Sequence, residues 1–223
     1  MHGGHKALMQ CLKRSAFDPE KDLLISLGDI CDGWPEVNKV IDDLLRLKHF
    51  KMILGNHDEW TLRWMKTGWK GYEWVSQGGS ATLESYQNDR ERVPRPHLEL
   101  LQEASLYMEL GDQLFVHGGI DPGVALDKQD PEILLWDRDL LNDAVRVNKE
   151  NPEYRYGKWD DIFIGHTTTQ VYRSSKPIHA CNIRAVDTGG GWSGKLTIMD
   201  IDSYEYWQSD LVPTLYPHIQ GRA

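Results

Sequence analysis

The chain predicts an α/β fold, and two patterns carry that expectation. Four short apolar runs each lead into a glycine-flanked polar group: Leu23–Leu27 into Gly28-Asp29-Ile30-Cys31-Asp32, Phe50–Leu54 into Gly55-Asn56-His57-Asp58, Gln113–Val116 into His117-Gly118-Gly119, and Asp161–Ile164 into Gly165-His166-Thr167. Runs of this length, bounded in this way, read as buried strands. The second pattern is helical spacing between them, as in Val37, Val40, Ile41, Leu44 and Leu45 behind Pro35. Strand, helix and strand make a right-handed βαβ unit. The polar groups then sit at strand carboxyl ends, where open α/β sheets build their sites.

Taken in order, His5–Ser15 predicts a helix with Ala7, Leu8, Cys11 and Leu12 on one face. Asp18-Pro19 makes a turn before the first strand. The aromatic-rich stretch Glu59–Trp74, with Trp60, Trp64, Trp69, Tyr72 and Trp74, reads as a helix and loop packed on the sheet, or as an aromatic wall beside the site. Gln77–Thr82 predicts a loop and Asn88–Pro96 a solvated connection. Leu98–Gln102 predicts a helix, and Ser105–Val116, with Gly111-Asp112 at its turn, a β-hairpin feeding His117. Pro131–Val147 reads as one helix and Asn148–Lys158 as loop. Ile178–Val186 and Lys195–Ile201 read as two antiparallel strands joined through the glycine-rich turn after Asp187, a residue given a structural role there; Tyr204–Trp207 adds another strand.

At 223 residues, with 40% hydrophobic and 26% charged residues, the chain fits one globular domain over 1–223. No apolar run reaches the roughly 20 residues of a membrane span, and the polar, glycine-rich start is no signal peptide. A net charge of −9 argues against duplex nucleic-acid binding. It leaves room for a phosphorylated substrate, because a metal supplies its own positive patch. Three cysteines, Cys11, Cys31 and Cys181, lack C-x-x-C spacing and predict reduced thiols in a cytoplasmic protein.

A lone histidine after a strand is more often structural than a ligand. Repetition changes the balance: four strand ends deliver Asp29, Asn56, His117 and His166, with His57 and Asp32 close in sequence. Carboxylate, amide oxygen and imidazole together suit a divalent metal such as Mn, Fe or Zn.

The ordered set Gly-Asp-x-x-Asp, Gly-Asn-His-Asp, His-Gly-Gly and Gly-His resembles the calcineurin-like metallophosphoesterases, and within them the bacteriophage-type serine/threonine protein phosphatases. The resemblance runs from His2-Gly3-Gly4 to Asp187-Thr188-Gly189 and beyond. It implies a sandwich of two mixed β-sheets flanked by helices. It also implies a dinuclear centre, with Mn²⁺ the expected ion and Fe or Zn the alternatives. One metal takes Asp29, Asn56, His117 and His166; the other takes Asp29, His2 and an aspartate that would stand just before Met1. That aspartate and the strand carrying it are expected to be missing, which leaves one tightly held metal and impaired activity. Thr168 stands where some relatives carry a further histidine ligand.

The resemblance further implies that His57 is the general acid and Asp32 its partner, with attack by metal-bound hydroxide. Asn56 and Arg138 are the phosphate-binding candidates; Arg138 reads equally well as a surface-paired helix arginine. Gly33 stands where the protein phosphatases often have a phosphate-clamping arginine. The expected activity is hydrolysis of phosphate monoesters, of a phosphorylated protein foremost or of a small phosphoester. A diadenosine tetraphosphatase-like nucleotide hydrolase and a degenerate, non-catalytic family member are the alternatives.

Overall fold

The computed structural model of the protein describes residues 1–219 and 221. Helix α1 (His5–Arg14) buries Ala7, Leu8 and Cys11, the face its spacing predicts. Strand β1 (Leu24–Ser26), helix α2 (Val37–Leu45) and strand β2 (Phe50–Met52) follow, and β1 pairs with β2 in parallel, Ile25 opposite Lys51. Val37, Val40, Ile41 and Leu44 of α2 are all buried, each contributing about 1.5–3 kcal/mol of apolar burial. Helix α3 (Asn56–Thr67) starts directly after β2 and ends at Gly68, whose φ of 77° is a left-handed cap. The short α4 (Tyr72–Trp74), α5 (Ser80–Ser85) and α6 (Arg95–Glu103) complete this half. Trp64, Trp74, Leu83 and Leu101 pack with α2 into one core.

The second half is built on a five-stranded mixed sheet. Its strands are β3 (Tyr107–Leu110), β4 (Gln113–Val116), β5 (Asp161–Ile164), β6 (Ile178–Ala180) and β7 (Ile183–Ala185), in the order β3-β4-β5-β7-β6. The pairs β4-β5 and β5-β7 are parallel. The hairpins β3-β4 and β6-β7 are antiparallel. Helices α7 (Pro131–Trp136) and α8 (Asp139–Val147) cover it, and Leu140, Leu141 and Ala144 meet Leu114, Val116, Ile162 and Ile164. Phe115 and Phe163 stack at 5.0 Å on the opposite face. Strands β8 (Thr197–Met199) and β9 (Tyr206–Gln208) form a separate antiparallel pair before α9 (Val212–Leu215). Among the described residues, no helix is long and apolar enough to cross a membrane.

The α/β layout with mixed sheet and flanking helices agrees with the sequence, and four local expectations are corrected. Residues 178–186 form a tight hairpin, because Cys181 adopts φ 55° and turns the chain. The strand at Thr197–Met199 pairs with Tyr206–Gln208 and not with the 178–186 run. The expected helix over 131–147 breaks at Asp137, whose ψ of 142° is extended. The expected loop at 77–82 is helical apart from one kink at Gln77 and Gly78, where φ reaches 108° at the glycine. Among the described residues β1 pairs only with β2. A cavity of about 480 Å³ lies between β1 and β8 and reaches Asp29, His117 and His166 at one end.

Candidate active site

Four strand ends converge on one place. The loop after β1 carries Asp29 and Asp32, the first turn of α3 carries Asn56 and His57, the end of β4 carries His117, and the end of β5 leads to His166. Close approach of these loops requires glycine. A Cβ on Gly28 would lie 2.6 Å from His117 Nδ1 and 2.7 Å from the Gly55 nitrogen, and one on Gly55 would lie 2.3 Å from Asp29 Oδ1. Asp58 ties the loops together. Its carboxylate accepts from the backbone N–H groups of Asp29 (2.7 Å), Gly55 (3.0 Å), Ile30 (3.0 Å) and Cys31 (3.1 Å). Burial, then the charge of Asp29, pushes the Asp58 carboxyl up to about 6.

Side-chain donor atoms of Asp29, His117 and His166 lie within 4.8 Å of one another. Asn56 Oδ1 sits between the rings, 3.0 Å from His117 Nε2 and 3.1 Å from His166 Nδ1. His117 Nδ1 is 2.6 Å from the Leu27 carbonyl. A carbonyl only accepts, so Nδ1 carries the proton and a neutral ring turns the Nε2 lone pair inward. With their inward nitrogens deprotonated, the two rings join the Asp29 carboxylate and Asn56 Oδ1 in offering four ligand atoms to a common centre, and such mixed O and N atoms fit a divalent ion. Burial depresses His166, helped by His117, to about 3. Burial opposes charge on His117 as well, but Asp29 outweighs it and the ring is shifted up. Burial likewise disfavours the Asp29 carboxylate, and His117 and His57 more than compensate, holding it well below the usual range.

His2 is buried, at 5% exposure, and so is no frayed terminal residue. Its Nδ1 lies 3.1 Å from the Cys31 carbonyl, and its Nε2 lies 3.4 Å from Asp29 Oδ2. Backbone strain concentrates here: His2, Asp29, Asp32 and His166 have φ of 51°, 52°, 69° and 57°. Left-handed backbone is uncommon for non-glycine residues and persists where surrounding structure enforces it.

Beside the ligand cluster lies a second group. His57 Nδ1 donates to Asp32 Oδ2 at 2.6 Å, and both side chains are fully buried. The His57 backbone N–H donates to Asp29 Oδ1 at 3.1 Å, which links the two groups. His57 Nε2 is buried with no hydrogen-bond partner among the described residues, as are His166 Nε2 and Thr167 Oγ1. Asp32 also accepts from Trp74 Nε1, Thr82 Oγ1 and Thr61 Oγ1. No motif or spacing in the sequence points to these three partners. Trp60 and Trp136 form a half-buried rim. Trp60 lies 5.2 Å from His57 and 5.0 Å from Trp136, which lies 5.9 Å from His166. Arg138 is exposed between α7 and α8. Its side chain makes no ion pair with a described residue, which removes the surface-pair reading, and its charge is felt at His166. Asp187 lines the cavity and accepts the Gly189 N–H at 2.8 Å.

The calcineurin-like phosphoesterase family model matches residues 1–192. Serine/threonine-protein phosphatase 1 of Salmonella typhimurium is 25% identical over 212 residues, covering 90% of this chain and 88% of its own. The symmetrical bis(5'-nucleosyl)-tetraphosphatase of Buchnera aphidicola is 44% identical over only 59 residues, 26% of this chain and 22% of its own. The crystal structure of a candidate diadenosine tetraphosphatase shares the fold, with a TM-score of 0.67 at 18% identity over 93% of this chain and 88% of that one.

Proposed function

The chain belongs to the calcineurin-like phosphoesterase family, and we propose that within it the protein hydrolyses phosphate monoesters of phosphorylated serine or threonine in proteins. One observation supports the reading above others: the ligand atoms of Asp29, Asn56, His117 and His166 gather next to a separately anchored histidine, His57. The first group would hold a divalent ion, Mn²⁺ in this reading. His2, 3.4 Å from the free oxygen of Asp29, would share a second. Such ions, when bound, lower the pKa of water and neutralise phosphoryl charge.

The chain's own residues supply the remainder. Asp29 Oδ1 lies at the amino end of α3 and accepts an N–H there, so the helix end favours the carboxylate's charge. Asp32 accepts the Nδ1 proton of His57 and so directs Nε2, which has no hydrogen-bond partner among the described residues, to the leaving oxygen. There Nε2 would give up a proton as the ester bond breaks. Arg138, exposed and without an ion pair among the described residues, would contact the phosphate, and Asn56 would orient it. Trp60 and Trp136 exclude water from the leaving-group side. The odd, unspaced cysteines favour a cytoplasmic setting.

The length of alignment favours the protein phosphatase over the tetraphosphatase reading: 212 residues against 59. The test adds a phosphothreonine peptide and diadenosine tetraphosphate, each with Mn²⁺, to purified protein. Phosphate released from the peptide at the higher kcat/KM supports the proposal. Preference for the dinucleotide reverses it, and turnover of neither leaves a binding role.

A further inference from the structure

Asp32 is reached by four side chains, and one of them meets both of its oxygens. His57 Nδ1 donates to Oδ2 at 2.6 Å. Thr82 and Thr61 donate to Oδ1, at 2.6 Å and 3.3 Å. The indole Nε1–H of Trp74 is forked, 3.0 Å from Oδ1 and 2.9 Å from Oδ2. A donor equidistant from two oxygens resists rotation of the carboxylate about its Cβ–Cγ bond. The threonines hold Oδ1 and His57 holds Oδ2, so the indole is the donor that ties the two oxygens to one point.

Trp74 is itself rigid. Its exposure is 0%. Its ring stacks on Trp69 at 6.0 Å and 17°, and lies 6.0 Å from Trp64. Gly79 presses so close that a Cβ there would come within 2.6 Å of the indole. The same segment meets the acidic loop again where Gly33 N–H donates to the Gly78 carbonyl at 3.0 Å. Asp32, at φ 69°, is thereby braced on backbone and side chain together. A phenylalanine would fill this core as well; what a tryptophan adds is a single N–H donor.

We propose that Trp74 is a positioning residue: its forked N–H fixes the plane of the Asp32 carboxylate, and that plane aims the Nε2 of His57 at the leaving oxygen. The inference rests on the reading of His57 as the proton donor. Loss of the N–H leaves His57 with a partner but without a fixed direction. Small misplacements of a proton donor are expensive in rate. The penalty falls on esters whose leaving oxygen needs a proton and spares those whose leaving group departs as an anion.

The experiment compares the parent with Trp74→Phe and with a variant carrying benzothienylalanine at position 74, which keeps the indole shape and lacks only the N–H. With saturating Mn²⁺, kcat for a phosphothreonine peptide should fall about tenfold or more in both variants. For 2,4-dinitrophenyl phosphate it should fall less than about twofold. KM and bound Mn²⁺ should be unchanged. A second measurement needs no turnover. In ¹⁵N-edited spectra of the metal-free protein, the His57 Nδ1–H signal should exchange slowly in the parent and rapidly in the isostere variant. Equal losses on both esters in the isostere variant, or kinetics and exchange matching the parent, overturn the inference. Should Trp74→Phe fail to fold, the isostere variant decides. Should the parent hydrolyse neither ester, the hydrolase reading fails and the exchange measurement alone decides the role of Trp74.

Discussion

The two halves of the site are built on opposite principles. The cluster of Asp29, Asn56, His117 and His166 gathers ligand atoms around one centre, with the amide oxygen of Asn56 within hydrogen-bond distance of both rings. The Asp32–His57 pair, next to it, is saturated with donors: two threonines and an indole in addition to the imidazole. The first arrangement is suited to a cation. The second is held by the protein's own donors and leaves one nitrogen, His57 Nε2, without a hydrogen-bond partner among the described residues. Proximity is therefore a poor guide to role: the His57 backbone touches Asp29, while its ring belongs to a different network.

The largest effect that could break this comparison is expected at Asp29. Asp29→Asn removes the charge that draws the cation, and metal-dependent hydrolysis should fall by at least about 10³-fold with the fold retained by circular dichroism. Near-parental turnover at saturating Mn²⁺ would abolish the distinction between the halves. His57→Asn should lower kcat by about 10²–10⁴-fold on alkyl phosphates. Metal content, measured by elemental analysis, should stay at the parental level. Loss of metal from that variant would merge the two networks into one.

The thermal response to Mn²⁺ sharpens the contrast without an assay of turnover. At a hundredfold excess over Kd, an ion that binds only the folded chain stabilises it by about 2.7 kcal/mol. For a chain of this size that is about 5–10 °C in Tm. His117→Ala should remove the shift, and His57→Asn should keep it. The smallest effect is expected at Arg138, which is exposed. Arg138→Ala should raise KM about tenfold with kcat nearly unchanged, the signature of binding shared by ground and transition states. A fall in kcat with KM constant would assign it to the reacting phosphoryl group.

Much of the candidate site was legible because strand ends announce themselves. An apolar run that stops at glycine fixes where the chain emerges, and Asp29, Asn56, His57 and His166 follow such stops within a residue or two, while His117 ends its run directly before Gly118. The partners of Asp32 carried no such signal. Trp74 and Thr82 lie 42 and 50 residues away, in a stretch whose spacing suggested packing and loop. Their roles depend on how α5 and the kink at Gly78 fold back, which is tertiary information. Asp58 was visible as part of a motif, but its grip on four backbone N–H groups was not, since those donors belong to two separate loops. The split of 131–147 was also hidden, because its apolar spacing continues across Asp137 while the backbone there is extended.

The left-handed backbone at His2, Asp29, Asp32 and His166 has an evolutionary consequence. A side chain in that conformation costs about 1–2 kcal/mol that glycine avoids. At His166, half-buried with an Nε2 that is enclosed and lacks a hydrogen-bond partner among the described residues, exchange for glycine would relieve both penalties. A library screened for heat resistance alone should therefore enrich glycine at His166 and hand back sturdier, inactive proteins. Under the proposed function, a screen that also selects for activity should keep the histidine.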